Sequence, residues 1–159
     1  MYTVSVPLVS QMLHRSDRKD LAQRLKSAGV SRIFLSIGTY IADPEKRSAC
    51  METLRDNCAF FKAEGFEVGH WINANGHGVV LAHAPGEGDR SVFPPMIRLD
   101  GKPWEGTNCP LDEGFRAAYL SAVTRLAALG ASVLMLDDDF RVMLRPAEGC
   151  ACPLHMAAF

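Results

Sequence analysis

Cysteine and histidine form the sharpest chemical pattern in this chain. Cys150, Cys152 and His155 occur as Cys-x-Cys-x-x-His, and Cys109 stands well upstream, at the mouth of a predicted helix. Thiolate sulfur and imidazole nitrogen are the donors that a tetrahedral zinc ion takes, and Cys₃His is one of its common structural sets. The four residues therefore predict a structural zinc ion, Zn2+, held by Cys109, Cys150, Cys152 and His155. Free thiols or a disulfide are the competing reading, although a direct bridge between Cys150 and Cys152 would be strained by their short separation. Cys50 and Cys58 fall inside another predicted helix without this spacing and read as small buried residues.

A second pattern is acidic. The apolar run Ser132–Leu136 leads directly into Asp137, Asp138 and Asp139. If the strand persists, Asp137 and Asp139 share one face and Asp138 takes the other. Carboxylates this close are costly unless a donor, a cation or solvent offsets them, and their proximity raises a pKa toward the range useful for acid catalysis. A solvated turn is the plainer alternative. Arg141 and Arg145 follow, able to clamp a carboxylate or to orient one of the aspartates, and equally able to make ordinary surface ion pairs. Trp71 offers an apolar platform, and Asn73 and Asn75 offer donors and acceptors to a polar ligand. A core tryptophan with turn-forming asparagines would look the same. His70, His77 and His83 form no compact metal motif, and the helix positions of Glu45, Glu52 and Glu64 favour solvated faces.

Positioning these groups requires a scaffold, and the chain alternates strand and helix signals. Apolar and β-branched stretches predict strands near 3–8, 30–37, 66–73 and 132–138, with Pro7 restricting the first to an edge or to a segment that ends there. Ser16 or Asp17 caps a helix over about 17–28, in which Leu21, Leu25 and Ala28 recur at helical spacing before Gly29. Pro44 opens a second helix that Gly65 ends. Asp112 caps a third, whose Phe115, Ala118, Tyr119, Ala122, Leu126 and Leu129 form an apolar stripe ahead of Gly130. LHMAAF reads as the start of a fourth. Between the third strand and the third helix lies a long Gly- and Pro-rich loop at about 76–109, with VVLA and MIRL as short strand pieces, and loops of this length usually carry function.

Nearly continuous apolar strands alternating with helices predict an α/β fold of parallel β/α units, with both sheet faces covered and functional loops at the carboxyl ends of the strands. The 159 residues are few for an eight-unit barrel, which takes about 250. One partial barrel-like domain over 1–159, the first half of a TIM barrel, and a complete four-stranded domain both fit the pattern. Composition narrows the function classes. With 17 basic and 18 acidic side chains and a net charge of −1, the chain lacks the basic, aromatic-interleaved surface expected of a nucleic-acid binder. No apolar run approaches the roughly 20 residues that span a bilayer, so a soluble, cytoplasmic protein with neither membrane nor nucleic-acid partners is expected. Neither GxGxxG nor GxxxxGK[ST] follows a strand, and CxC is not the CxxC redox spacing.

Taken together, the upstream cysteine, the Cys-x-Cys-x-x-His group and the acidic end of the fourth strand resemble the N-terminal half of the family 42 β-galactosidases and related barrel proteins. In that family a cysteine cluster of this layout holds zinc, with His155 here in place of the last cysteine. The family's fourth strand ends in Asp-Asn-Glu, whose glutamate is the general acid/base. In LMLDDDFR the corresponding positions are Asp137, Asp138 and Asp139. The resemblance thus implies a zinc-stabilised glycoside hydrolase fragment with Asp139 as acid/base. Asp137, Asp138, Trp71, Asn73 and Arg141 would then face a carbohydrate. A retaining glycosidase needs a second carboxylate about 5–5.5 Å from the first. In the resembling family it lies on a late strand that this sequence lacks, so the isolated chain is expected to be inactive. Self-association, or pairing with the remaining barrel half, is expected through exposed sheet edges. The alternative is a non-catalytic carbohydrate-binding or structural barrel-like module.

Overall fold

The computed structural model describes residues 2–36, 44–72, 93–104, 108–136 and 149–158. They divide between two compact units. The first takes the described residues of 2–36, 44–72 and 124–135, and the second takes those of 93–104, 108–123, 136 and 149–158.

The first unit is built on a sheet whose strands lie in chain order: β1 (Val4–Val9), β2 (Val30–Ser36), β3 (Glu67–Ile72) and β4 (Val133–Leu136). β1 pairs with β2 and β2 with β3, both parallel. β4 lies beside β3, where the Ser132 N–H donates to the Val68 carbonyl at 2.8 Å. Helices α1 (Arg18–Ser27), α2 (Pro44–Ala63) and α3 (Glu113–Ala127) alternate with the strands. This is the parallel β/α arrangement expected from the sequence, as an open four-stranded sheet among the described residues.

Burial follows strand position. On β2, Ile33, Phe34 and Leu35 are buried in succession, and on β3 Val68, Gly69 and His70 are, so both faces of the two inner strands are covered. The outer strands are different. β4 alternates, with Val133 and Met135 partly buried while Leu134 is 36% and Leu136 48% exposed, so the expected cover on both faces fails there. β1 does not end at Pro7. It continues to Val9 with Pro7 in register against Phe34, because an edge strand tolerates a residue that has no N–H to give.

The helices bury the periodic faces that their sequences predict. On α2, Leu54, Cys58 and Phe61 recur at helical spacing and are all almost fully buried. On α1, Ala22 is buried and Leu21 and Leu25 partly so, but Ala28 lies past the end of the helix and is exposed. Gly29, Gly65 and Gly130 end the helices at φ of 77°, 89° and 95°, the left-handed geometry that suits glycine. Asp17 occupies the cap position of α1 without making a side-chain cap bond; its carboxylate instead accepts from the Ser16 hydroxyl.

A buried polar network fixes the carboxyl end of β1. Asn57 Nδ2 donates to the Ser10 carbonyl at 3.1 Å and to its hydroxyl at 2.7 Å, while Arg18 Nη1 donates to Asn57 Oδ1 at 2.7 Å and to Asp56 Oδ2 at 2.9 Å. Ser10 and Asn57 are buried, so these bonds satisfy groups that would otherwise be costly to keep from water.

Two tests follow from the inner strands. A β-carbon at Gly69 would stand 2.5 Å from Val133 Cγ1 and 2.7 Å from the Phe34 ring. Gly69→Ala is therefore expected to cost about 1–3 kcal/mol in urea denaturation, the range for overpacking a tight core, and an unchanged midpoint would disprove the tight contact. His70 is 1% exposed, and neither ring nitrogen makes a well-formed hydrogen bond among the described residues. Burial holds its pKa below the ordinary value; the nearby backbones of Leu35 and Leu126 favour the charged form and only partly oppose this. The unfolded chain thus takes up this proton first. The stability contributed by neutral His70 is complete above about pH 6.5 and is lost as pH falls toward the lower folded value. His70→Leu should flatten that acid-side slope in denaturation curves recorded between about pH 7 and 5.

Candidate metal centre

The second unit is organised around the four residues that the sequence singles out. Met96 begins a tight turn in which the Trp104 N–H donates to the Met96 carbonyl at 2.8 Å, the Arg98 N–H to the Lys102 carbonyl at 2.9 Å, and the Gly101 N–H to the Arg98 carbonyl at 3.0 Å. Gly101 sits at φ 80°, which an L side chain rarely adopts. Ile97 and Pro103 form an isolated antiparallel bridge, so the MIRL segment is one arm of this turn and not a strand of the main sheet. Phe93, Phe115 and Tyr119 pack nearby as a separate aromatic group around Ala122.

Three backbone contacts lace this turn to the cysteines. The Cys109 N–H donates to the Pro94 carbonyl at 2.9 Å, the Ala151 N–H to the Ile97 carbonyl at 2.7 Å, and the Ile97 N–H to Cys150 Sγ at 3.4 Å. Beyond Cys109 the chain turns, with the Asp112 N–H donating to the Cys109 carbonyl, and Asp112 Oδ1 then accepts the Phe115 N–H at 2.7 Å as the cap of α3. At the other end, α4 (Pro153–Ala158) starts on a proline, whose missing N–H costs nothing in a first turn. Its first bond runs from the Met156 N–H to the Cys152 carbonyl, and the helical register carries His155 back over Cys152.

The side chains converge. Cys152 Sγ lies 3.1 Å from His155 Nδ1, Cys109 Sγ lies 3.6 Å from the same nitrogen, and the two sulfurs are 3.5 Å apart. With Cys150, all four candidate ligand atoms fall within 4.8 Å of one another. Around zinc, with Zn–S near 2.3 Å and Zn–N near 2.0–2.1 Å, the edges of the tetrahedron are about 3.5–3.8 Å. The cluster can hold a metal ion with only small adjustments. None of the five cysteines is in a disulfide. Met96, Ile97 and Trp104 surround the sulfurs, and all four ligand residues are buried.

Electrostatics divide the thiols. Burial pushes Cys109 up to about 11, and its contacts with Cys152 act in the same direction. Burial also acts to raise Cys152, but hydrogen bonds from His155 and from the neighbouring thiols outweigh it and bring Cys152 down to about 6. One thiolate is thus already favoured at neutral pH, held against the imidazole, and a divalent cation would supply the charge that makes thiolates of the others.

Of the other predicted site residues, Trp71 lies on β3, partly buried, with its indole Nε1 enclosed and without a partner among the described residues. Asn73, Asp137, Asp138, Asp139 and Arg141 lie outside the described residues, as do Asn75, His77, His83, Arg145 and the VVLA segment. His70 is a core residue, Cys58 is buried and Cys50 partly so, in keeping with the structural roles expected of them. Glu45 and Glu52 are exposed, whereas Glu64 is partly buried and paired with Lys26 at 2.7 Å. The turn at 93–104 was not legible as part of the centre, because its ties to Cys109, Cys150 and Ala151 are distant in sequence. Its one local signal is the Asp100-Gly101 pair, a common turn dipeptide.

No family model and no curated protein matches this chain. Among solved structures, the chain is similar to the crystal structure of a hypothetical protein from Ruminiclostridium thermocellum ATCC 27405, with a TM-score of 0.61 at 10% identity, over 91% of this chain and 80% of that one. At that identity the likeness bears on the fold alone, a parallel β/α topology that is consistent with a barrel-like fold. No helix among the described residues is long and apolar enough to cross a membrane.

Zinc loading gives a direct test of the centre. Protein reconstituted with zinc and freed of excess should retain about one ion per chain by elemental analysis, and Cys152→Ser should lower the affinity at least tenfold. Protons compete for the same donors, so retention should be full at about pH 7.5 and fall progressively below about pH 6. A zinc content independent of all four residues would disprove the assignment.

Proposed function

We propose that this chain is a zinc-stapled β/α module and that its own role is structural or carbohydrate-binding, without catalysis. The observation that carries the proposal is the donor set: among the described residues, Cys109, Cys150, Cys152 and His155 bring four candidate ligand atoms within 4.8 Å of one another, as many as a tetrahedral structural ion takes. Catalytic zinc sites keep a corner for water or substrate, and structural sites fill every corner with protein. Here the ion would join the turn at 93–104, the entry to α3 and the start of α4, and its binding free energy would become folding free energy.

The resemblance to the family 42 β-galactosidases supports carbohydrate as the ligand class. In that reading Trp71, Asn73, Asp137, Asp138 and Arg141 contact the sugar, and Asp139 is the acid/base of a parent hydrolase. Sheet edges β1 and β4 are then where a second copy or the remaining barrel half would add, and the exposed Leu134 and Leu136 suit such cover. The Cys/His cluster, which suits a module held together by a metal ion, is the feature that supports the non-catalytic reading of this chain over the hydrolase.

Turnover separates the two. Zinc-loaded protein and its Asp139→Asn variant should both fail to cleave a panel of aryl glycosides, while any oligosaccharide binding seen by calorimetry should survive the substitution. Turnover that disappears in Asp139→Asn would overturn the non-catalytic reading and favour the hydrolase.

A further inference from the structure

The same four residues hold a second arrangement in reserve. Cys109 Sγ and Cys152 Sγ stand 3.5 Å apart without a bond, on segments 43 residues apart in sequence. A disulfide needs its sulfurs at about 2.05 Å, so closure calls for a combined shift of about 1.5 Å, within reach of side-chain rotation. The alternatives are less suitable. Cys150 Sγ is engaged by the Ile97 N–H, and a Cys150–Cys152 bridge would close a strained ring across Ala151 alone. Cys150 is 8% and Cys152 6% exposed while Cys109 is fully enclosed, so of the two sulfurs in contact a small oxidant meets Cys152 before Cys109, which stands behind it to resolve the product.

We propose that the centre is a redox-exchangeable staple, in which a peroxide replaces the zinc ion by a Cys109–Cys152 disulfide. This rests on the zinc assignment above. The Cys152 thiolate attacks one peroxide oxygen, the O–O bond breaks, and the hydroxide released takes up one proton and leaves as water, giving a sulfenic acid; the second step takes up the other proton in the same way. The Cys109 thiolate then attacks that sulfur, the S–O bond breaks, and a second water leaves. In sum, two thiolates, one H₂O₂ and two protons give one disulfide and two waters. The sulfurs lose two electrons and the peroxide gains them. Both consumed thiolates are zinc ligands. Cys150 and His155 alone make half a coordination shell, so the ion is released. The new bond spans two of the segments that the ion joined, so the oxidised unit keeps a covalent tie where a merely demetallated one has none.

The test uses the reduced, zinc-loaded 159-residue chain treated with stepwise hydrogen peroxide in the presence of a chromophoric zinc indicator. Release of about one zinc per chain should accompany loss of two of the five thiols, and peptide mapping should find the Cys109–Cys152 link. Reductant plus zinc should reverse both changes. The oxidised protein should resist limited proteolysis at 93–112 at least several-fold better than reduced protein stripped by a chelator. Cys150→Ser should still cross-link, and Cys109→Ser should give no intramolecular link to Cys152. Should either variant fail to fold, link mapping on the unmodified chain decides the matter. Zinc that stays bound while peroxide is consumed, a link between other cysteines, or oxidation to sulfinic acid without a link would overturn the exchange and leave the zinc assignment standing. Failure to bind zinc in the initial loading would overturn both.

Discussion

Three sulfurs and an imidazole gathered in one apolar shell are the constraint on which the second unit depends. Cys109, Cys150, Cys152 and His155 are 8% exposed or less, and the short contacts between their ligand atoms are made to one another. Thiols are weak donors, so such a cluster contributes little as a hydrogen-bond network, and as thiolates the three would repel one another. A divalent cation removes both difficulties, because it replaces poor hydrogen bonds by coordination and cancels most of the charge. Among the described residues the turn at 93–104 is tied by its backbone bonds, by the Asn108 amide to the Phe93 carbonyl and by Arg98 over the Trp104 ring, and an ion on Cys109 and Cys150 would add a further tie between distant segments.

The first unit solves its problem with different chemistry. Its inner strands are covered on both faces by residues such as Ile33, Phe61 and Val68, and hydrophobic burial dominates. Polar groups appear where the regular elements end. Ser10, Arg18, Asp56 and Asn57 join the end of β1 to the starts and faces of two helices, which matters because the carboxyl ends of parallel strands are where loops must be held in place. His70 sits within the same core, where burial holds its pKa below the ordinary value.

The parts of this structure that could be read from the sequence are those encoded over short distances. Gly29, Gly65 and Gly130 end helices through their own backbone freedom, Asp112 caps α3 from three residues away, and Leu54, Cys58 and Phe61 repeat at the helical period. Cys152 and His155 meet because a single helical turn joins them. Cys109 was legible for another reason, since its residue type completes a recognisable ligand set. What escaped depends on neighbours far along the chain. The edge position that Pro7 signals was legible, but the exposure of Leu134 and Leu136 on β4 was not, since their hydrophobicity reads as burial. The Ser10–Asn57 bond links positions 47 residues apart with no pattern to mark either.

Fold and site therefore carry different weights. The solved structure from Ruminiclostridium thermocellum is similar in fold at 10% identity, over 91% of this chain and 80% of that one. Parallel β/α units support many chemistries by varying the loops at their strand ends, so a shared arrangement of this kind leaves the activity open. The cluster is more restrictive. Among the described residues it gathers three thiols and an imidazole from a loop and a helix start of the second unit, with the candidate ligand atoms within 4.8 Å of one another. Four such donors suit an ion that holds structure.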